Sequence, residues 1–345
     1  MASIDDVARH AGVSTATVSR VLNGKNTVST TTAEKVLAAV NALDYVMSSS
    51  ASGLASGRTK NIGVVVPELT RWYFTNVVEG IASGLLHHGY DLTVYSLRDG
   101  GSARRSVFEQ SLLRQRVDAF IAISQELTND ELAKLRALNK PLVGVGGPLP
   151  GVHTLSIDDV AVSTEATQHL INLGHTRIAH ISGTVEFEAD FHLPTNRRSG
   201  YEAALTAAGI PIPHDLQAAA DFTIPGGYGA TQQLLTLGDR RPTAIFVSSD
   251  EMAIGSILAI REAGLTVGRD VSVVGIDNYE LSDYFGLTTV AQYPQDQGRQ
   301  AVELLMNVLQ PGRPVSTNLI TPLTTELLVR SSTGPAPSTD RKTRT

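Results

Sequence analysis

The stretch that decides how the chain is organised is residues 4–23, IDDVARHAGVSTATVSRVLN. Small and apolar side chains recur in it at helical spacing on both sides of a single glycine: Ile4, Val7, Ala8, Val13, Val18 and Val21. The pattern predicts two short helices around a sharp turn, because Gly12 can adopt the positive φ that other residues avoid. The Ser14 hydroxyl stands where it can cap the second helix.

Packing of the valines leaves the opposite face of the second helix in solvent. Five side chains share this outward face: Thr15, Ala16, Thr17, Ser19 and Arg20. Small polar groups beside one arginine suit a helix in the major groove of DNA, because hydroxyls reach phosphates and Arg20 can bind guanine in bidentate fashion. Ala16 or Thr15 can meet a thymine methyl group. The simpler alternative is a helical hairpin with a solvated, serine-containing face.

A third helix is predicted from about Thr30 to Leu43. Ser29 precedes it as a capping residue, and Val36, Val40 and Leu43 fall on one face that we expect to be buried. Together the three helices would form a small all-α headpiece.

Composition limits what the rest of the chain can be. The 345 residues predict more than one domain, and 28 basic against 34 acidic residues exclude a globally basic nucleic-acid coat. Residues 1–60 nevertheless carry a net charge of +2 and the remainder −8. The absence of cysteine excludes thiolate metal sites and favours a protein of the reducing cytoplasm. No apolar run approaches the roughly 18 residues that a helix needs to cross a bilayer. The charged first residues are not typical of a secretory signal.

Beyond residue 60, short β-rich runs alternate with helical stretches. The runs are IGVVVPE, YDLTVYS, DAFIAIS and PLVGVG, followed after about residue 160 by RIAHISG, TAIFVSS and VSVVGID. Alternation of strand and helix predicts parallel sheets covered by helices. Because the cycle starts twice, we expect two similar α/β lobes.

The run that continues through NGKNTVSTTTAEKVLAAVNALDY resembles the DNA-binding headpiece of the lactose/galactose-repressor (LacI/GalR) family, most specifically in VSRVLN and LDY. The resemblance extends from Ser3 to about Ser332 and is carried further on by GHTRIAHISG, RRSGYEAAL, SSDEMAIGSILAIREAGL, VVGIDNYE and TELLVRSST. It implies an all-α helix-turn-helix headpiece plus an α/β two-lobe periplasmic-binding-protein-like core with parallel sheets. Such a core dimerises and binds a small effector between its lobes.

The resemblance also implies residue roles in DNA binding. Three residues would read bases: Thr15, Ala16 and Arg20. Five others would approach the DNA backbone: Ser14, Thr17, Ser19, Asn23 and Thr32.

These patterns predict four segments: a headpiece at 1–46, a hinge at 47–60, a core at 61–332 and a tail at 333–345. Within the core we expect an N-lobe of about 61–157 and 292–319 and a C-lobe of about 158–289 and 322–332. The tail is expected to be disordered, because STGPAPSTDRKTRT offers almost nothing to bury.

The hinge departs from the family pattern. The family has a proline, an asparagine and an arginine where this chain has Met47, Ser48 and Ser52, and Gly53 costs about 1 kcal/mol of helix propensity. We therefore expect a weakly helical hinge that lacks the arginine contact. By resemblance, Leu54 corresponds to the leucine that enters the minor groove and kinks the duplex; the alternative is that Leu54 only packs against its partner.

Ligands of such two-lobe proteins bind at the carboxyl ends of the strands. Residues at or just beyond those ends are Glu68, Trp72, Tyr73, Ser124, Phe222, Ser249, Asp250 and Asp277. Aromatic rings beside carboxylates and a guanidinium favour a sugar, whose apolar face stacks on a ring. By resemblance, Arg197 is the principal effector anchor, with Asp277 and Gln292 beside it.

Three alternatives stay open within this set. Arg197 could instead form a surface salt bridge. Asp250 could cap the following helix, alone or while touching the ligand. At least one ring of the aromatic run should be core, and Phe74 is the one we expect there.

The sequence disfavours an enzyme, because it contains no GxGxxG after a strand, no GxxxxGK[ST], no HExxH and no GxSxG. We expect neither a cofactor nor a metal. The prediction is a cytoplasmic, homodimeric DNA-binding transcriptional regulator, interpreted as a repressor, that binds a pseudo-palindromic duplex operator and is controlled by a small carbohydrate effector. We expect no membrane partner. The alternative is the solute-binding protein of a sugar transporter.

Overall fold

A computed structural model of the chain describes residues 2–22, 28–45, 58–97, 101–114, 116–124, 126–184, 192–309 and 319–337. The predicted hinge lies largely outside these ranges, and so do Asn23 and Leu54. The roles assigned to them stay predictions.

Three helices form the headpiece: α1 (Ile4–Ala11), α2 (Thr15–Leu22) and α3 (Thr30–Ala42). Gly12 ends α1 with a φ of +69°, and the Ser14 hydroxyl accepts a hydrogen bond from the Thr17 amide at 3.2 Å. The predicted turn and cap are thereby confirmed. The shared core consists of Val7, Ala8, Val18, Val36 and Ala39. Two residues expected in it, Val40 and Leu43, are only partly buried at its edge, because Ala39 faces the core instead.

The first half of the core contains β1 (Asn61–Val66), α4 (Trp72–His87), β2 (Asp91–Ser96), α5 (Gly101–Ser106), β3 (Ala119–Ile123), α6 (Asn129–Ala137), β4 (Leu142–Val145) and β5 (His153–Ser156). The second half contains α7 (Asp159–Asn172), β6 (Ile178–Gly183), α8 (Leu193–Ala207), β7 (Gln217–Ala220), α9 (Ile224–Leu235), β8 (Ala244–Val247), α10 (Asp250–Glu262), β9 (Ser272–Asp277), α11 (Ser282–Phe285), β10 (Thr288–Ala291), α12 (Pro294–Leu309), β11 (Ile320–Pro322) and β12 (Glu326–Leu328).

Two six-stranded sheets organise these elements. The N-lobe sheet has the order β11-β5-β4-β3-β1-β2 and the C-lobe sheet the order β12-β10-β9-β8-β6-β7. Every pairing is parallel except that of β10 with β12. The two orders follow the same pattern, so the prediction of two similar lobes with parallel sheets is confirmed.

The chain passes between the lobes three times: from β5 to α7, from β10 to α12, and from β11 to β12. The third passage corrects the predicted boundaries, which ended the N-lobe at residue 319 and resumed the C-lobe at 322. Strand β11 pairs with β5, Pro322 opposite Ser156, and therefore belongs to the N-lobe. The chain leaves that lobe only after Pro322.

Helices α4 and α12 approach each other to backbone contact. A Cβ atom at Gly80 would lie 2.0 Å from the Gln295 carbonyl oxygen, and one at Gly298 would lie 2.2 Å from that of Val77. Any side chain larger than hydrogen would push the helices apart. The contact fixes the start of α12 beside the start of α4, where aromatic residues face the space between the lobes.

Five strands were not predicted from the sequence: β5, β7, β10, β11 and β12. Each has only three or four residues, and β5 (HTLS) and β10 (TTVA) contain polar side chains that are nevertheless largely buried. Short runs without an apolar signature form strands because neighbouring strands supply the hydrogen-bonding partners.

The tail prediction is wrong for residues 333–337. The Gly334 carbonyl lies 3.0 Å from the His175 ring nitrogen, and the Ala336 amide donates to the Leu173 carbonyl at 2.9 Å. The sequence offers little apolar surface here, but backbone hydrogen bonds hold the segment to the C-lobe. Composition alone could not reveal these bonds.

Candidate functional site

The outward face of α2 is available to a partner. Ser14, Thr15, Ala16 and Arg20 are exposed, and Thr17 and Ser19 are partly buried. The Thr17 hydroxyl hydrogen bonds with that of Ser14 at 3.0 Å. The structure thus places these predicted DNA-binding residues on α2 and, for Ser14, at the cap that precedes it, with Val18 buried behind them.

Thr32 lies apart from that face, in the first turn of α3. Its hydroxyl is 2.9 Å from the hydroxyl of the capping residue Ser29, and its side chain is partly buried. That position, at the end of a helix, suits a phosphate contact more than a base contact.

A cavity lies between the lobes where the strands of both sheets end. Seven of the ten predicted effector residues line it: Tyr73, Ser124, Arg197, Phe222, Ser249, Asp277 and Gln292. Their side chains come from both lobes, so a ligand here would touch the two halves of the core at once. The predicted contacts themselves remain a proposal.

Arg197 forms the polar floor of the C-lobe side. Its Nε lies 2.8 Å from the Asp159 Oδ1, and a terminal nitrogen donates to the Ser248 carbonyl. The side chain is almost completely buried, at 4% exposed, so the alternative of a surface salt bridge does not hold. The pair is held rigidly in the cavity wall.

A chain of hydrogen bonds crosses the cavity from lobe to lobe. The Tyr73 hydroxyl donates to Gln297 at 2.8 Å, and the Gln297 amide donates to the Gln292 carbonyl at 2.6 Å. The Gln292 side chain in turn donates to the Asp277 carboxylate. The predicted residues Tyr73, Gln292 and Asp277 are therefore linked through a residue that sequence analysis missed.

Carboxyl groups dominate the electrostatics of this region. Burial raises the pKa of Asp277 above its usual range. Burial, together with the charge of Asp277, raises the pKa of Glu251 to about 7. Groups that can donate hydrogen bonds to these carboxylates would relieve the cost of their burial.

Three cavity residues adopt backbone conformations that side chains rarely take. The φ angles are 39° for Ser124, 59° for Phe222 and 132° for Asp277. Each residue ends or closely follows a strand, where the chain turns away from its sheet. Such strain clusters at ligand sites, where surrounding packing holds it in place.

Three of the predicted effector residues, Glu68, Trp72 and Asp250, are not among the residues that line the cavity. Glu68 instead pairs with Arg71 at 3.0 Å, and Trp72 packs edge-on against Tyr279 in a neighbouring cleft. Glu68 lies in the loop after β1, and Trp72 begins α4.

Asp250 is fully buried in the C-lobe. Its carboxylate accepts hydrogen bonds from the Ser282 hydroxyl at 2.6 Å, the Thr289 hydroxyl at 2.7 Å and the Tyr279 amide at 2.9 Å. The capping alternative is also wrong, because Ser249 is the residue that caps α10, accepting from the Met252 amide. Asp250 instead ties the loop before α11 to the sheet.

Several residues of the cavity lining were not predicted from the sequence: Arg71, Ile157, Asp159, Leu193, Glu251 and Gln297. Asp159 follows the unrecognised strand β5, which would have placed it at a strand end. Phe74, expected in the core, both packs against the N-lobe core and lines the cavity.

The described residues contain no group of three or more metal-ligating side chains. No helix in that part of the chain combines the length and apolarity needed to cross a membrane.

Comparison with known proteins agrees with this architecture. Residues 3–48 match the family model "Bacterial regulatory proteins, lacI family", and residues 167–333 match "Periplasmic binding protein-like domain". Catabolite control protein A of Priestia megaterium is 34% identical, with 88% of this chain and 91% of the relative covered. The Ribose operon repressor of Escherichia coli (strain K12) is 33% identical, with 94% and 99% covered.

A solved structure extends the agreement to three dimensions. The Lac repressor dimer bound to operator and the anti-inducer ONPF superposes with a TM-score of 0.83 at 31% identity, covering 96% of this chain and 99% of the other. With relatives of this identity matched over nearly the full length, the chain belongs to the lacI family of bacterial regulatory proteins and is a DNA-binding transcriptional regulator.

Proposed function

We propose that the chain is a homodimeric repressor that binds a pseudo-palindromic operator through two copies of α2 and responds to an uncharged carbohydrate in the interlobe cavity. The observation that carries the proposal is the composition of the cavity wall. Tyr73 and Ser124 of the N-lobe face Arg197, Phe222 and Asp277 of the C-lobe across one space. A single ligand can therefore bias the arrangement of the two lobes.

The headpiece supports the DNA half of the proposal. Arg20 is exposed on the same helix as Thr15 and Ala16, which suits base contacts in the major groove. The Lac repressor, which this chain resembles over its whole core, was solved as a dimer on its operator. Two headpieces held by a dimer would reach half-sites about one helical turn or a small multiple apart.

The charges of the cavity support an uncharged ligand. Its lining contains two arginines, Arg71 and Arg197, against three acids, Asp159, Glu251 and Asp277. Both guanidinium groups already bind a carboxylate. A phosphate ester would therefore meet no arginine without a carboxylate partner, whereas sugar hydroxyls can hydrogen bond to the carboxyl groups while an apolar ring face lies on Phe222 or Phe74.

The effector changes DNA affinity only through a preference for one lobe arrangement. A typical coupling of about 1 to 3 kcal/mol corresponds to a 5- to 150-fold change in affinity. Because the described cavity lining contains no histidine beside its two serines, Ser124 and Ser249, we propose no acyl-transfer reaction there. The protein would act in the cytoplasm, where bacterial DNA lies.

Two measurements on the full chain test the proposal. Selection from a random duplex pool should enrich a sequence with two-fold symmetry. A thermal-shift panel should then contain free pentoses, hexoses or disaccharides that stabilise the protein, while their phosphate esters do not. The proposal fails on its DNA half if no duplex is enriched with or without the panel. It fails on its effector half if only phosphate esters stabilise.

A further inference from the structure

The two lobes are joined by side-chain contacts at the very start of α4. Residues 71–74 read RWYF, and the first two of them reach from the N-lobe to the C-lobe. We call residues 71–74 the bridging turn. Its contacts differ from the chain crossovers, because they can form and break without altering the fold of either lobe.

Arg71 makes the polar contacts. Its guanidinium donates to the Asp221 carbonyl at 2.8 Å and to the Phe222 carbonyl at 3.2 Å, both in the C-lobe. On its own lobe, Nε is fixed by the Glu68 carboxylate at 3.0 Å. The rigid fork of a guanidinium suits this arrangement, since one side chain spans two backbone acceptors and one carboxylate.

Trp72 makes the apolar contact. Its ring lies edge-on against Tyr279 of the C-lobe, with ring centroids 5.2 Å apart. The indole nitrogen is buried and has no hydrogen-bond partner among the described residues. The contact thus depends on ring packing, which is lost when the lobes separate.

The next two residues of the turn face the ligand space. Tyr73 and Phe74 line the cavity, and so does Arg71. Phe222, whose carbonyl accepts from Arg71, presents its side chain to the same cavity. One helical turn therefore holds both the lobe-bridging groups and the ligand-facing groups, and any ligand that moves the aromatic rings moves the bridge.

We propose that Arg71, held by Glu68, is a latch that stabilises the closed lobes, and that the bridging turn couples ligand binding to lobe closure. Arg71 acts as a positioning residue: it sets the population of the closed arrangement to which the ligand binds. Its link to DNA rests on the proposed function above, but the latch itself can be tested without any ligand.

The proposed latch predicts the direction in which substitution of Arg71 changes effector affinity and DNA affinity. A ligand that touches both lobes favours the closed arrangement, and loss of Arg71 favours the open one. The variant Arg71→Ala should bind the effector more weakly, because the competent state is less populated. Its ligand-free DNA affinity should move in the direction opposite to the change that effector causes in the native chain.

The single tryptophan of the chain makes the test direct. All tryptophan emission comes from Trp72, which lies next to the latch. In the ligand-free full chain, Arg71→Ala should shift the emission to longer wavelength as the ring loses Tyr279, and small-angle scattering should show a larger radius of gyration. With any stabilising sugar from the thermal-shift panel, affinity should fall by at least about fivefold.

Two further variants separate a latch from general damage. Arg71→Lys keeps the charge but loses the fork, and should give an intermediate emission shift. Arg240→Ala removes an arginine that pairs at 2.9 Å with Asp215 within the C-lobe, and should leave emission unchanged. Native-like emission and scattering for a folded Arg71→Ala overturn the latch. If no sugar binds the native chain, the effector proposal fails while the emission comparison still decides the latch.

Discussion

The Arg197 guanidinium and the Asp159 carboxylate form an ion pair inside the interlobe cavity, with Nε 2.8 Å from Oδ1 and side chains 4% and 14% exposed. Asp159 begins α7 and Arg197 lies on α8, so the pair joins two helices of the C-lobe behind the ligand space. Its charges are oriented before a ligand arrives. Such preorganisation reduces the ordering that binding requires.

Arg197→Ala should remove effector binding while leaving operator binding. Loss of charge-assisted hydrogen bonds, about 1.5 to 3 kcal/mol each, predicts at least a tenfold loss of affinity in calorimetric titration. The variant should also be less stable, by about 1 to 3 kcal/mol, because the partly buried Asp159 carboxylate loses its charged partner.

The double variant Arg197→Ala with Asp159→Ala separates these two effects. It removes the unpaired charge and should recover part of the lost stability without recovering effector binding. Full-strength binding of effector to either variant would contradict the role assigned to Arg197.

Arg20→Ala should weaken discrimination between operator and random DNA without affecting effector binding. A bidentate contact with guanine contributes about 1 to 3 kcal/mol of discrimination. The ratio of the two affinities, measured by fluorescence anisotropy, should therefore fall by about fivefold or more. Arg9→Ala is the matched control, because Arg9 is an exposed headpiece arginine that pairs with Asp6 on α1. An unchanged ratio for Arg20→Ala would show that this residue does not read bases.

Affinity for the operator should fall steeply with salt. Each phosphate contact releases counterions, so the logarithm of affinity decreases linearly with that of salt concentration, with a slope of about −0.9 per contact. Substituting Thr17 or Ser19 by alanine should weaken operator and random DNA alike, because hydroxyl contacts with the backbone carry no sequence information. A salt-independent affinity would count against phosphate contacts by the headpiece.

The parts of the fold that sequence analysis recovered have strong local signals. Gly12, the Ser14 cap and the buried valines indicate the headpiece, and the seven β-rich runs indicate the strands β1, β2, β3, β4, β6, β8 and β9. The missed strands have only three or four residues, too few for a recognisable pattern, and neighbouring strands supply their hydrogen-bonding partners. Because β5 was not predicted, Asp159, which follows it, was not recognised as a residue near a strand end. Arg71 was missed for another reason: it donates to Asp221 and Phe222 of the other lobe, about 150 residues away along the chain. Gln297 was missed because its partner Tyr73 lies on a helix 224 residues earlier.

Glu251 predicts a specific dependence of stability on pH. Its pKa is raised to about 7 by burial and by the charge of Asp277. Between the unfolded pKa of 4.5 and about pH 7, the Glu251 carboxyl is therefore protonated in the folded chain and ionised in the unfolded chain. The associated stabilisation is present below the unfolded pKa of 4.5 and is lost as the pH rises through about 7.

Glu251→Gln tests this dependence, because the amide does not ionise. From about pH 5 to about pH 8, the unfolding free energy of the native chain should fall relative to that of the variant by about 1 to 2 kcal/mol. This is less than the full pKa shift implies, because the side chain is partly exposed and solvent screens its charge. Urea unfolding across this range measures the difference. Parallel profiles would mean that Glu251 does not titrate there.

The segment after Ser332 should contribute measurably to the stability of the C-lobe. Thr333 hydrogen bonds with His169 and Thr288, each at 2.9 Å, in addition to the bonds of Gly334 and Ala336. At about 1 kcal/mol for each bond, a chain ending at Ser332 should be about 2 to 4 kcal/mol less stable than one ending at Pro337. Comparing these two truncations isolates the contribution of residues 333–337. Burial lowers the pKa of His175, so we expect its ring to be neutral and hydrogen bonded to the Gly334 carbonyl at neutral pH. Equal melting temperatures for the two chains would show that these hydrogen bonds merely replace bonds to water.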